Sequence, residues 1–248
     1  MEEKIKSLNW ENFKTHFHES WHKEMKEIIE SEEMYNLYQF LKEESKKRKK
    51  LTPLPEDVFK AFQIDLNKME VVVMGMDVYP QYNIGKPVAN GIAMDCTNYG
   101  KLSPTLEKFY EGLNDDLYAS SEEFTPSLSL QYLVDQNVLL TNAALTCEKD
   151  KSGKHIAKWR PFWTMVFDKI FSKKELIFVF LGEHASLYEK LMTPFAHYSF
   201  SIEHPVAASY QHRNWKHEYT FSKVNKLLKS QNLEEILWLK LEKSQNVV

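Results

Sequence analysis

Four short apolar runs constrain this chain more than any other feature: "EVVVMG" at 70–75, "NVLLTN" at 137–142, "LIFVFLG" at 176–182 and "YSFSIEHP" at 198–205. Each has the length of a strand and stops at Gly, Asn or His-Pro, residues that turn a chain out of a sheet. Between them lie "SPTLEKFYEGLNDDL", "WRPFWTMVFDKIFS" and "HASLYEKLM", whose apolar positions recur at helical spacing. Strands alternating with helices predict an α/β fold, a three-layer α/β/α single domain with a central, mainly parallel four-stranded sheet. "TFSKVNKLLKS" closes it as a last helix.

Ahead of the first strand, Trp21, Met25, Ile28, Ile29, Tyr35, Leu37, Tyr38 and Leu41 recur among charges at helical spacing, which predicts two amphipathic helices in an outer layer. "EDVFKAFQI" is expected to begin another helix, with acidic residues near its start. The basic run "KKRKK" at 46–50 meets the proline-stiffened "LTPLP" and reads either as a solvated helix end or as a phosphate contact. Tyr132, Trp159, Phe162 and Trp163 have the spacing of buried helix faces. With no internal repeat, linker or low-complexity tract, residues 1–248 are expected to form one domain, 1–65 the helical layer and 66–248 the core.

A chain of 248 residues with 43% hydrophobic content buries one sizeable core. A net charge of −3 argues against a coat of basic residues while leaving room for a local basic groove. Cys96 and Cys147 make neither a disulfide framework nor a CxxC metal pair, so reduced thiols are expected. That points to a cytoplasmic address, or to the nucleus or host-cell interior for a eukaryotic or viral chain. "MEEKIKSLNW" is acidic where a signal peptide is basic and then apolar, and "LIFVFLG" is too short to span a bilayer, so a soluble protein without a membrane partner is expected.

In open parallel sheets the ligand crevice lies beyond the carboxyl ends of the strands. Those ends carry Asp77, Asn142, Gly182 and His204. Taken singly, an Asp there is often a helix cap, an Asn a turn former and a His-Pro a loop corner. Together, a carboxylate can orient water or support positive charge, an amide can read a planar hydrogen-bonding edge, and an imidazole can stabilise an anion. That set suits cleavage at a base-like ring.

The same residues carry a resemblance. The chain is similar to the family 1 uracil-DNA glycosylases over nearly its whole length, from "LNW" to "ILW". The family's GQDPYH stands here as "GMDVYP" at 75–80, its GLCFS as "GIAMD" at 91–95, its PPSLKNIYKEL as "SPTLEKFYEGL" at 103–113 and its QGVLLLN as "QNVLLTN" at 136–142. Its strand ending in WG before a helix matches "VFLGEHA" at 179–185, and its HPSPLS matches "HPVAAS" at 204–209. Order and spacing together make the assignment specific.

The resemblance implies an enzyme that flips a nucleotide out of DNA and breaks the bond from base to sugar. Asp77 matches the residue that positions water and supports the cationic sugar, and His204 the residue that stabilises negative charge on the departing base. Asn142 matches the amide that pairs with the pyrimidine edge, and Tyr79 the wall beside C5. Met94 stands where the family stacks a phenylalanine on uracil, and Met76 joins it at the base. Ser103, Pro104, Gly182, Glu183, Ala208 and Ser209 fall in the loops that pinch the DNA backbone; Arg213, Lys101 and Lys216 are candidates for its phosphates. Glu183 either repels a phosphate or serves as a helix N-terminal charge. No cofactor or metal is implied. DNA is the partner, with a protein inhibitor or a replication protein as further ones, and a monomer is the expected state.

Departures cluster at the pocket. Met76, Val78 and Pro80 replace Gln, Pro and His of the motif, the linker from Tyr79 to Gly91 is longer than in the family, and Ala208 stands where the family inserts a leucine into the vacated stack. A viral branch of the family shares the proline and the alanines. Three readings stay open on sequence: a divergent uracil glycosylase; one retuned for hydroxymethyl or glucosylated phage bases, acting in antiphage defence; and a non-catalytic DNA-binding replication accessory protein.

Overall fold

The computed structural model describes residues 7–47, 50–121, 123–192 and 198–240; Arg48 and Lys49 of the basic run lie outside them. Short 3₁₀ turns lead into helices α1 (His22–Ile29) and α2 (Glu32–Lys46). Ser31 caps α2, its hydroxyl accepting the Met34 N–H at 3.2 Å, and Glu32 and Glu33 sit in the first turn, where the helix dipole favours negative charge. Strand β1 (Leu51–Thr52) follows.

The helix expected over "EDVFKAFQI" does not form; 3₁₀ turns at Pro55–Asp57 and Lys60–Gln63 take its place. Phe59, Ala61, Phe62 and Ile64 are all buried. Those positions are spread around a 3.6-residue helix, so one α-helix would leave part of the set in solvent, whereas tight turns bring all of it to the core.

Strand β2 (Val71–Asp77) enters the molecule next, followed by a hairpin of β3 (Tyr82–Asn83) and β4 (Lys86–Pro87). Helices α3 (Pro104–Tyr118) and α4 (Gln131–Val134) lead to β5 (Val138–Ala144) and β6 (Cys147–Glu148). Then come α5 (Ile156–Lys169), β7 (Ile177–Leu181), α6 (Glu183–Ser186), β8 (Tyr198–Ile202), α7 (Pro205–Tyr210) and α8 (Thr220–Ser230).

The main sheet runs β5-β2-β7-β8, with every pairing parallel. β5 and β7 are buried along their whole length, as their Val, Leu, Ile and Phe residues require. From β2 the chain crosses through α3 to β5, then returns through α5 to β7 on the other side of β2. Right-handed crossovers in opposite directions put α3 and α5 on opposite faces, which makes the three layers. α7 and α8 pack on α3, while α1 and α2 pack on α5. Trp159, Phe162 and Trp163 of α5 are buried, and Trp163 stacks on Phe62 at 6.0 Å between ring centroids.

Because the strand order reverses direction at β2, a crevice opens at the carboxyl ends of β2 and β7. Asp77 and Gly182 stand there. Among the described residues no helix is long and apolar enough to cross a membrane.

Candidate active site

Gly75 sits opposite Asn142 in the β2–β5 register. A Cβ at Gly75 would lie 2.5 Å from Asn142 Oδ1 and 3.8 Å from His204 Nε2. Two side chains from different strand ends therefore close over one backbone position that only glycine leaves open. Side chains alternate along a strand, so Asp77 projects to the same face as Gly75, about 6–7 Å further on. Amide and imidazole border one space over Gly75, and the carboxylate stands on the same face of β2.

His204 begins α7 as its N-cap: Nδ1 accepts the Val206 N–H at 3.2 Å. An accepting Nδ1 carries no proton, so the neutral ring holds its proton on Nε2, the atom that faces Asn142. Burial lowers the His204 pKa to about 4, which keeps the ring neutral at physiological pH. The backbone allows this approach because Gly182 takes φ +85° and a Cβ there would press on His204 Cβ at 3.1 Å. Among the described residues, neither Nε2 nor the largely buried Asn142 amide has a hydrogen-bond partner. Polar atoms left open at the strand ends in this way are free to bond a ligand.

Asp77 is held from one side. Its Oδ2 accepts the Gly153 N–H at 2.5 Å and the Ser152 hydroxyl at 3.0 Å, while Oδ1 is 3.2 Å from that same hydroxyl and has no other partner among the described residues. The Cys147 thiol lies 3.7 Å from Oδ2, and its proton also has the Lys151 carbonyl at 2.8 Å. Burial pushes the Asp77 carboxyl above its ordinary pKa, with the Gly153 and Ser152 donors pulling the other way. Burial and the neighbouring carboxylate hold the Cys147 thiol up at about 12, so it stays protonated beside the anion.

Tyr79 is fixed by its phenol, 2.7 Å from the Ser103 hydroxyl and donating to the Met94 carbonyl at 3.3 Å. Burial raises its pKa, so the phenol is neutral. Met94 takes φ +61° and is 7% exposed, inside the loop that Asp95 locks through Asn90 Nδ2 at 2.7 Å and the Leu130 N–H at 2.8 Å.

A uracil-DNA glycosylase of Aliivibrio salmonicida is 31% identical to this chain over 221 residues, 86% of this chain and 95% of that protein. The chain belongs to the uracil-DNA glycosylase family. A uracil-DNA glycosylase of Pseudomonas aeruginosa is 30% identical over 222 residues, 88% of this chain and 93% of its own. The crystal structure of mimivirus uracil-DNA glycosylase shares the fold, with a TM-score of 0.81 over 95% of this chain and 94% of that one at 24% identity. No protein-family model matches.

Within this uracil-DNA glycosylase fold, several residues expected at the base or at DNA also make contacts within the protein. Strand alternation turns Met76 to the face opposite Gly75 and Asp77, away from the base space. Ser103 is 5% exposed, and its hydroxyl accepts the Leu106 N–H at 3.1 Å as the cap of α3 while bonding Tyr79, so it is not free for a phosphate. Ala208 is 0% exposed and belongs to the core, so its methyl cannot touch DNA from this position. Arg213 pairs with Glu203, and its Nε donates to Gln211 at 2.7 Å, so its charge is already met within the protein. Pro104, Ser209, Lys101 and Lys216 keep some or much of their surface in solvent, and exposed Glu183 fills the first turn of α6.

Sequence reasoning missed Gly75 as the floor of the site and missed the Ser152–Gly153 clamp. The first had a signal in the Gly two residues before Asp77. The second, lying 75 and 76 residues away, had none. We expect Gly75→Ala to leave the fold intact and lower kcat/KM by at least about tenfold, because displacing Asn142 spoils a contact that depends on placement. Circular dichroism alongside steady-state kinetics checks this.

Proposed function

We propose that this protein flips uracil out of DNA and hydrolyses the bond joining the base to its sugar, leaving an abasic site. One observation carries the reading: Asn142 and His204 Nε2, both without partners among the described residues, close on a single space over Gly75, on the face where Asp77 stands. As the bond breaks, its electron pair leaves with the base, and the Nε2–H donates to the base oxygen on which charge gathers. Positive charge left on the sugar is met by the Asp77 carboxylate, whose less encumbered Oδ1 orients the attacking water. The water oxygen bonds to the sugar carbon and passes its proton to Asp77 Oδ1, from which it goes to solvent or to the departed base anion. Asn142 donates its N–H to uracil O4 and accepts N3–H, a pairing that fits the uracil edge.

Tyr79 favours uracil over a base enlarged at C5. Its ring is anchored through Ser103 and the Met94 carbonyl, so the wall it forms cannot swing aside without breaking both contacts. DNA is held through phosphates, for which the exposed Lys101 and Lys216 are candidates, and Arg213 a further one that would first leave Glu203. One chain supplies every group used here, so a monomer suffices. A variant of the mimivirus enzyme has been solved in complex with UGI, which supports a protein inhibitor as a partner of this chain.

Oligonucleotides carrying uracil, hydroxymethyluracil, hydroxymethylcytosine or glucosylated hydroxymethylcytosine, treated with alkali after incubation, test the reading. Strand cleavage is expected at uracil; cleavage only at a modified cytosine would overturn it. Asn142→Asp replaces a donor with an acceptor, so discrimination between uracil and cytosine is expected to shift toward cytosine by about 1–3 kcal/mol, the worth of one good base pairing. An unchanged preference would remove Asn142 from base reading.

A further inference from the structure

Five residues past Asp77, at the carboxyl end of the sheet, the chain makes the β3–β4 hairpin, in which Tyr82 pairs with Pro87 and Asn83 with Lys86. Its two-residue turn is Ile84–Gly85, with φ +46° and +79°. A turn with both central residues in the left-handed region prefers Asn-Gly, and a β-branched residue there is an outlier. Ile84 is also 96% exposed, the most exposed of the large apolar side chains among the described residues. A strained backbone holding an apolar side chain in water answers to something outside the folded chain.

The arm beneath is tied to the body of the protein. Tyr82 donates its hydroxyl to the Leu51 carbonyl at 2.6 Å, and Asn83 Nδ2 donates to the Tyr99 carbonyl at 2.9 Å. It is also ringed by cations. Lys50 and Lys149 sit 5.5 and 5.9 Å from the centre of the Tyr82 ring, Lys101 is 4.9 Å from that of Tyr99, and Lys86 is exposed on the hairpin itself. Lys149 pairs with Asp150, whereas Lys50, Lys86 and Lys101 have no carboxylate partner among the described residues. An apolar point framed by unpaired cations fits a polyanion whose interior is apolar.

We propose that the β3–β4 hairpin is a duplex-probing arm, Ile84 pressing into the base stack next to the extruded nucleotide while Lys50, Lys86 and Lys101 face phosphates. Apolar side chains inserted between base steps offset the loss of stacking that extrusion causes, which matters in a duplex and little in a single strand. The inference rests on the glycosylase reading. Wild-type release of uracil tests that reading separately.

Ile84→Asn separates function from structure, because asparagine relieves the turn. The variant is expected to melt about 2–4 °C higher than wild type while losing about tenfold in Kd and kcat/KM on duplex DNA containing uracil, and under about twofold on the single-stranded form. Lys86→Ala should flatten the dependence of Kd on salt. Wild type that releases no uracil from either DNA defeats the function itself. Wild type that is active, beside an Ile84→Asn variant equal to it on duplex, overturns the arm and assigns the exposed tip to a protein partner or to none. Loss in Tyr210→Ala instead, the 79% exposed side chain ending α7, would move the contact there and overturn it too.

Discussion

Asp77→Asn is expected to lower kcat on uracil-containing DNA by about a thousandfold while Kd for DNA changes little, since the carboxylate acts on the transition state far more than on the bound substrate. The donors around the side chain explain why so small a change costs so much. Gly153 N–H and Ser152 converge on Oδ2 and require an oxygen there. Asparagine has one oxygen, which must take that place, so its NH₂ falls where Oδ1 was. Two donors then face a water that needs an acceptor and a sugar that needs a negative charge. Single-turnover kinetics beside a binding titration separate the two effects, and equal losses in both would contradict the role.

The acid side of the pH profile reports on the same carboxylate. Its active form is the anion, and burial raises its pKa, so activity falls as pH drops through that raised value. His204 must be neutral, and with a pKa of about 4 it becomes protonated only in acid. The His204 limb lies near pH 4, and the Asp77 limb lies above the ordinary carboxylate range. The residual activity of Asp77→Asn should lack the Asp77 limb.

The four sheet strands were legible because β-branched and aromatic runs bounded by Gly, Asn or His-Pro have few other uses, and the residues at their ends could be named without knowing the strand order. That order was not legible, since nothing in "LIFVFLG" says it pairs with β2 and not with β5. For single residues, contacts across the fold added roles that the motifs did not show. Ser103, Ala208 and Arg213 match loop positions near DNA, yet one became a cap, one a core methyl and one half of an ion pair with Glu203. Contacts across the fold settle such outcomes, and a motif does not encode them. The hairpin showed in the sequence only as extra length between Tyr79 and Gly91; its positive-φ isoleucine required coordinates.

His204→Ala should lower kcat by about 10²–10³, the cost of removing one preorganised donor from a charge-bearing oxygen, with DNA affinity again nearly kept. Histidine here has two jobs, and they can be pulled apart. Nδ1 caps α7 through the Val206 N–H, so alanine also removes a cap, at about 1 kcal/mol of stability. His204→Asn restores a good capping residue but is too short to carry a donor to the Nε2 position. It should recover most of the lost stability and none of the lost turnover; recovery of turnover would assign His204 a structural role only. The titration of the ring gives an independent sign. The unfolded chain binds a proton at a His204 pKa near 6.5 and the folded one only near 4, so protonation favours unfolding across that window. Wild type should therefore lose thermal stability faster than either variant as pH falls from 6.5 to 4, because only wild type shelters a neutral imidazole whose Nε2–H faces the place where a base would lose its bond to the sugar.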